Sequence, residues 1–212
     1  MLQVSDMPKA KEITEEDINR KEAERRARKS AETIHHLWNI SGVRKRHRNP
    51  MPVGKGPWDK KYIELSKKLK TGYLVALVGV RGCGKSQLGA ELIKNACMLE
   101  QIALYTTAMD VFVELRDGYK LNASEQAILA RYKRPQLLVI DETQERGETP
   151  WEDRLLTMLI DYRYSQMRDT VLISNQTREQ FESSMGASVV SRMVETGGIV
   201  DCDWPSFRGV KA

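Results

Sequence analysis

Residues 79–86 read GVRGCGKS and follow directly on the apolar run YLVALV. Gly79, Val80, Arg81, Gly82, Cys83, Gly84, Lys85 and Ser86 fit the spacing G-x-x-x-x-G-K-[ST] in full. Glycines let consecutive backbone N–H groups turn inward around phosphate oxygens. The start of the following helix adds partial positive charge, and Lys85 brings a full one for the β- and γ-phosphates. The Ser86 hydroxyl is placed to ligate Mg²⁺, and Gln87 extends the binding stretch into the helix. A glycine-rich turn alone would not need the Lys-Ser end. A second run, LLVIDE over 137–142, closes an apolar strand with two acids. Asp141 there suits holding Mg²⁺ through its water shell, and Glu142 suits polarising an attacking water as general base. A third run, TVLISN over 170–175, ends in an amide, and Asn175 could orient that water or meet the γ-phosphate. The chemistry implied is binding and hydrolysis of a nucleoside triphosphate.

These residues work only if several strand ends meet, and the surrounding pattern provides for that. From Trp58 onward, short amphipathic helices alternate with apolar strands at YLVALVG, QIALYTTA, QLLVIDE, TVLISN and GGIVDCDW. Continuous apolar strands alternating with helices predict a parallel five-stranded sheet covered on both faces, with ligands at the carboxyl ends of the strands. Between the second and third strands, MDVFVELRDGY and SEQAILARYK predict two helices carrying Arg116, Lys120, Arg131 and Lys133. Tyr119 and Tyr132 in that stretch could stack on bases or pack on the core.

The first 50 residues are of another kind. They hold 12 Lys/Arg against 8 Asp/Glu, a net of +4 of the chain's +5. Residues 12–39 predict a helix capped by Thr14 and poor in apolar residues until Ile34, Leu37 and Trp38. Such a helix is expected to be mobile, or docked on a partner through that end. The stretch ISGVRKRHRNPMPVGKGPW reads as a linker or an irregular, functional loop, and the domain boundary falls near residue 50: 1–50 a basic helical region and linker, 51–212 the catalytic domain.

Composition narrows the class. The three cysteines, Cys83, Cys97 and Cys202, are odd in number and scattered, which fits neither a disulfide framework nor a thiolate zinc site. Cys97 is expected in the core and Cys202 in the fifth strand, while Cys83 in the loop is a place where alkylation could block nucleotide entry. No apolar run reaches the roughly 18–20 residues of a membrane span, and no secretory signal opens the chain. A cytoplasmic protein without a membrane partner is expected.

Taken together, these residues resemble the AAA+ ATPases, with Asn175 at the sensor-1 position. They are similar in particular to the bacterial and phage replicative-helicase loaders (DnaC-like) and the related IstB-like ATPases. SGVRKRHRN, LLVIDE, DYRYSQMRDTVLISNQT and MGASVVSRMVETGGIVDCDWPSFR carry that likeness, over roughly residues 40–212. The resemblance implies a P-loop NTPase with a RecA-like core, no C-terminal helical lid and a helical N-terminal extension. It implies an arginine finger at Arg192, reaching a neighbour's γ-phosphate, and so an ATP-dependent oligomer. Arg163 is a second candidate for a subunit-interface role, and a surface salt bridge is the alternative for either.

The implied activity is ATP-dependent loading of a hexameric replicative helicase, gripped through residues 1–50, onto single-stranded DNA. ATP and Mg²⁺ are the implied cofactors, with hydrolysis to ADP slow until assembly. Two other readings stay open: a transposition helper acting on duplex DNA, and a nucleotide-gated binding protein.

Overall fold

A computed structural model describes residues 15–49, 56–147 and 149–207. The Thr14 cap and Arg208 of the terminal WPSFR lie outside them. Among the described residues, no helix is long and apolar enough to cross a membrane.

Five parallel strands form one sheet: β1 (Leu74–Val78), β2 (Ala103–Thr107), β3 (Leu137–Asp141), β4 (Asp169–Ile173) and β5 (Gly198–Asp201). Their order across the sheet is β2-β3-β4-β1-β5. The five residues of β1, β3 and β4 are all buried, as strands covered on both faces must be. Side chains alternate between faces with period two. Val75, Leu77, Tyr105, Val139, Val171 and Ile173 therefore pack toward α2 (Pro57–Lys67) and α3 (Lys85–Met98). Leu74, Ala76, Leu104, Leu138, Ile140 and Leu172 face the opposite layer. That layer holds α4 (Ala108–Lys120), α5 (Glu125–Lys133), α6 (Pro150–Ser165), α7 (Arg178–Met185) and α8 (Ala187–Thr196). The sequence reading did not single out the last two helices. Cys202 follows β5 rather than lying within it.

Helix α1 (Glu15–Ile40) is exposed along most of its length, held by pairs such as Arg28 with Glu32 at 2.9 Å. Its apolar end corrects the expectation of a partner. Leu37 is buried and Trp38 half-buried against the α2–α3 side of this chain's own core. The chain then runs along the sheet edge. Ser41 accepts the Tyr105 N–H at 2.7 Å, and Val43 is buried. Gly42 makes this approach possible: at φ +76° an added Cβ would stand 2.3 Å from the Tyr105 carbonyl oxygen. A 3-10 turn, Lys45–His47, completes the segment.

Arg163 is a second correction. It is fully buried. Its guanidinium donates to Thr170 Oγ1 at 2.9 Å and to the carbonyls of Tyr132, Pro135 and Asp169 at 2.9, 3.0 and 2.6 Å. Burial, with Arg168 nearby, lowers its pKa to about 9. With its donors turned inward, this side chain ties the end of α5 to β4 and has no face for another subunit. Tyr132 is likewise core, while Tyr119 is exposed, edge-on to Trp151.

Candidate nucleotide site

The carboxyl ends of β1, β3 and β4 border a cavity of about 480 Å³. Arg81, Gly82, Gly84, Lys85, Ser86 and Gln87 line one side, and Asp141, Glu142 and Asn175 line another. Three runs far apart in the chain meet here because the strands are parallel and adjacent. β3 lies beside β4 and β4 beside β1, so their last residues fall in one row. Ligands in open parallel sheets bind at such a row.

Within the loop, Gly84 sits at φ +84° and precedes α3. That left-handed turn costs a glycine little and aims the first N–H groups of the helix at the cavity. The Lys85 ammonium folds back onto the Gly79 and Val80 carbonyls, each at 2.7 Å. Val80 points outward and is exposed.

Cys83 corrects another expectation. It is buried beneath the loop and does not line the cavity, so it is no open door for alkylation. The Cys202 thiol and the Lys85 ammonium lower its pKa to about 6 against the opposing effect of burial, while Cys202 is pushed up. Cys97 is core, as expected, and burial raises it to about 11.

Asp141 is buried at the end of β3 and held from two sides. Its Oδ1 accepts the Glu142 N–H at 2.7 Å, and its Oδ2 accepts the Tyr105 hydroxyl. Burial and the Asp141 charge push the Tyr105 phenol well above its ordinary range, with the Ser86 side chain pulling the other way. Glu142 is a non-glycine residue at φ +55°. Such a backbone costs about 1–2 kcal/mol, and here it turns the side chain of the second acid to the cavity. The Gln144 side chain accepts the Asn175 N–H at 3.1 Å and links the ends of β3 and β4.

The oxygen donors fit Mg²⁺. Ser86 and Asp141 share the cavity, and among the described residues no cluster of three or more His, Cys, Asp or Glu makes an all-protein cage. Mg²⁺ favours a few protein oxygens completed by phosphate and water.

Arg192 lies elsewhere. On α8 it pairs with Asp161 at 3.2 Å, donates to the Ser188 carbonyl at 2.9 Å and covers the Tyr164 ring at 5.5 Å. It lines a surface groove with Asp153, Arg154 and Tyr162, apart from this chain's own phosphate loop. The cationic side chains of α4 and α5 also have partners. Arg131 pairs with Glu114 at 2.7 Å, Lys120 with Asp117 at 2.9 Å, Arg116 with Glu152, and Lys133 covers Tyr162.

The sequence reading missed Tyr105, Arg46, His47 and Phe207 as neighbours of the site. Arg46 and His47 belong to VRKRHRN, read as a linker or functional loop, and Phe207 to WPSFR, which carried the resemblance alone. The Gln87 side chain explains the first of these. Its amide donates to the His47 and Asn49 carbonyls at 3.3 and 2.9 Å, clipping that segment to α3.

Comparison with known proteins bears on the family and the fold. Residues 67–209 match a family described as IstB-like ATP binding protein. The replicative helicase loader DnaC of Escherichia coli strain K12 is 27% identical over 132 residues, 61% of this chain and 54% of that protein. An uncharacterized protein of the same strain, YdaV, is 29% identical over 146 residues, 68% of this chain and 59% of its own length. The matched part thus spans little more than half of these relatives. Among solved structures, the DnaC helicase loader superimposes with a TM-score of 0.60 at 19% identity, over 78% of this chain and 98% of that one. DnaI does so with 0.62 at 16%, over 81% and 99%. The initiator DnaA bound to AMPPCP and single-stranded DNA gives 0.62 at 18%, over 75% and 50%. At those identities the structures establish a shared fold. The phosphate loop, the strand that ends in acids and the terminal strand all fall inside the matched region, and the chain belongs to the IstB-like ATP-binding protein family.

Proposed function

We propose that this protein is an Mg²⁺-dependent ATPase that loads a hexameric replicative helicase onto single-stranded DNA. The observation that carries the ATPase reading is the convergence of Lys85, Ser86, Asp141, Glu142 and Asn175 on one cavity. The loader reading rests on the relatives named as helicase loaders.

The loop N–H groups and the start of α3 would cradle the phosphates. Lys85 would leave the Gly79 and Val80 carbonyls for the β- and γ-phosphates. Ser86 and Asp141 would hold Mg²⁺, which when bound neutralises phosphate charge. Glu142 would take the proton of the attacking water, and Asn175 would orient that water. Arg192, remote from its own site and partly exposed, would complete a neighbour's site and stabilise charge there. Residues 1–50 would supply the grip on the helicase, with the exposed length of α1 as the contact surface. Single-stranded DNA would be held through phosphates by Arg116, Lys120, Arg131 and Lys133, once their present ion pairs are exchanged. A transposition helper on duplex DNA is the second reading, favoured by the IstB-like family match.

The test is co-elution with the hexameric helicase of the same host in ATP and Mg²⁺. The full chain is compared with one beginning at Ser30, a cut that spares Leu37, Ser41 and Val43. Co-elution lost with the cut supports the loader; a full chain that never co-elutes, yet remodels duplex DNA beside a transposase, favours the helper.

A further inference from the structure

The terminal segment Trp204–Phe207 closes over the phosphate loop. The Trp204 indole donates to the Cys83 carbonyl at 2.5 Å, and the Phe207 N–H donates to the Gly82 carbonyl at 3.0 Å. From α2, the Trp58 indole donates to the Gly84 carbonyl at 3.1 Å. A loop that turns its N–H groups toward an anion turns carbonyls outward, and buried carbonyls need donors. Three consecutive carbonyls here are supplied in this way, and that of Gly84 also accepts the Leu88 N–H at 2.8 Å. This accounts for Trp204 and for the backbone of Phe207, but not for the Phe207 ring.

That ring lies against Gly84, where an added Cβ would stand 3.1 Å from two of its carbons. It is 44% exposed, although its neighbour Trp204 is buried. Its free face borders the nucleotide cavity, together with Arg46, His47 and Gln87. The acids and Asn175 also line that cavity and are assigned above to the γ-phosphate end. A triphosphate with its γ-phosphate at Glu142 and its chain along the loop leaves its base beyond Ser86 and Gln87. There Gln87 and His47 are engaged: the Gln87 amide donates to the His47 and Asn49 carbonyls, and His47 Nδ1 meets Gln87 Oε1 at 3.2 Å.

We infer that Phe207 forms one wall of a base subsite, stacking on the purine of the nucleotide opposite the Arg46–His47 segment. This rests on the nucleotide-binding reading and adds to it the residue that favours a purine. Recognition is by ring face, so larger bases bind better than smaller ones.

The experiment is equilibrium binding to the full chain, with Mg²⁺, of ATP, CTP and inorganic tripolyphosphate. Phe207→Ala keeps the backbone bond to Gly82 and removes only the ring. Stacking on an aromatic side chain is worth about 5- to 150-fold in affinity. The expected result is a loss of that size for ATP, a smaller one for CTP, and tripolyphosphate affinity within about twofold of the wild type. Phe207→Trp should restore ATP binding. Unchanged ATP affinity in Phe207→Ala overturns the subsite, as does an equal loss for tripolyphosphate, which would mean that the ring only supports the loop. If the wild-type chain bound tripolyphosphate but gained nothing from a base, the subsite alone would fall. Binding of neither ligand would remove the nucleotide reading and the subsite with it.

Discussion

The Tyr105 hydroxyl donates a hydrogen bond to the Asp141 carboxylate across the seam between β2 and β3. The register explains the contact. Tyr105 pairs with Val139, and Asp141 lies two residues further along β3, so both side chains leave the sheet on the α3 face. The same tyrosine donates its backbone N–H to Ser41. One residue therefore touches both the carboxylate proposed to hold Mg²⁺ and the segment that follows α1.

Replacing this hydroxyl tests its positioning role. Tyr105→Phe keeps the ring in the core and leaves Asp141 with only the Glu142 N–H. Losing a partner behind a metal ligand typically weakens the metal about 10- to 100-fold. The Mg²⁺ concentration that half-saturates binding of a fluorescent ATP analogue should rise by about that factor, while thermal stability stays close to the wild type. An unmoved Mg²⁺ dependence would show that the hydroxyl does nothing for the site.

Binding and hydrolysis should separate by residue. Glu142→Gln removes the base without removing charge from the loop, and hydrolysis should fall about 10²- to 10⁴-fold with ATP affinity retained. Lys85→Ala should instead lose ATP affinity. Retained turnover in Glu142→Gln would reassign the base.

Arg192 should act between subunits. An Arg192→Ala chain has an intact Glu142, and a Glu142→Gln chain has an intact Arg192. Each alone should be nearly inactive, and a mixture should recover part of the wild-type ATPase rate at subunit boundaries that combine the two. A mixture no faster than its parts would rule out action in trans.

Arg163 should behave as a structural residue. Arg163→Leu leaves the Tyr132, Pro135 and Asp169 carbonyls without their donor, and unsatisfied buried groups cost about 1–3 kcal/mol each. Arg163→Lys should not rescue it, since an ammonium cannot fill a planar fork. Urea unfolding should show a loss of about 3 kcal/mol or more in both variants. Native stability with lost assembly would return this residue to an interface.

Much of the site was legible in the chain because its chemistry is written in short contiguous runs. Gly79–Ser86 needs only a turn and a helix start, and LLVIDE needs only a strand end; local spacing therefore carried both the residues and the roles proposed for them. The parallel sheet was legible for the same reason, as strands buried on both faces are apolar without a break. Contacts that join distant segments were not. Tyr105 reads as one more apolar strand residue until β2 is set beside β3. Arg163 looks like an exposed helical arginine until α6 is packed over β4, where the carbonyls that surround it gather. Cys83 looks accessible until Cys202 and Trp204 close beneath and over the loop. Leu37 and Trp38 look available to a partner until α3 covers them. The sequence by itself determined which groups are offered to phosphate in the proposed site and which strands carry them, through local propensity and spacing. Only the tertiary structure decided which polar side chains are spent inside the molecule and which face the cavity, because that depends on which segments the packing of the sheet brings together.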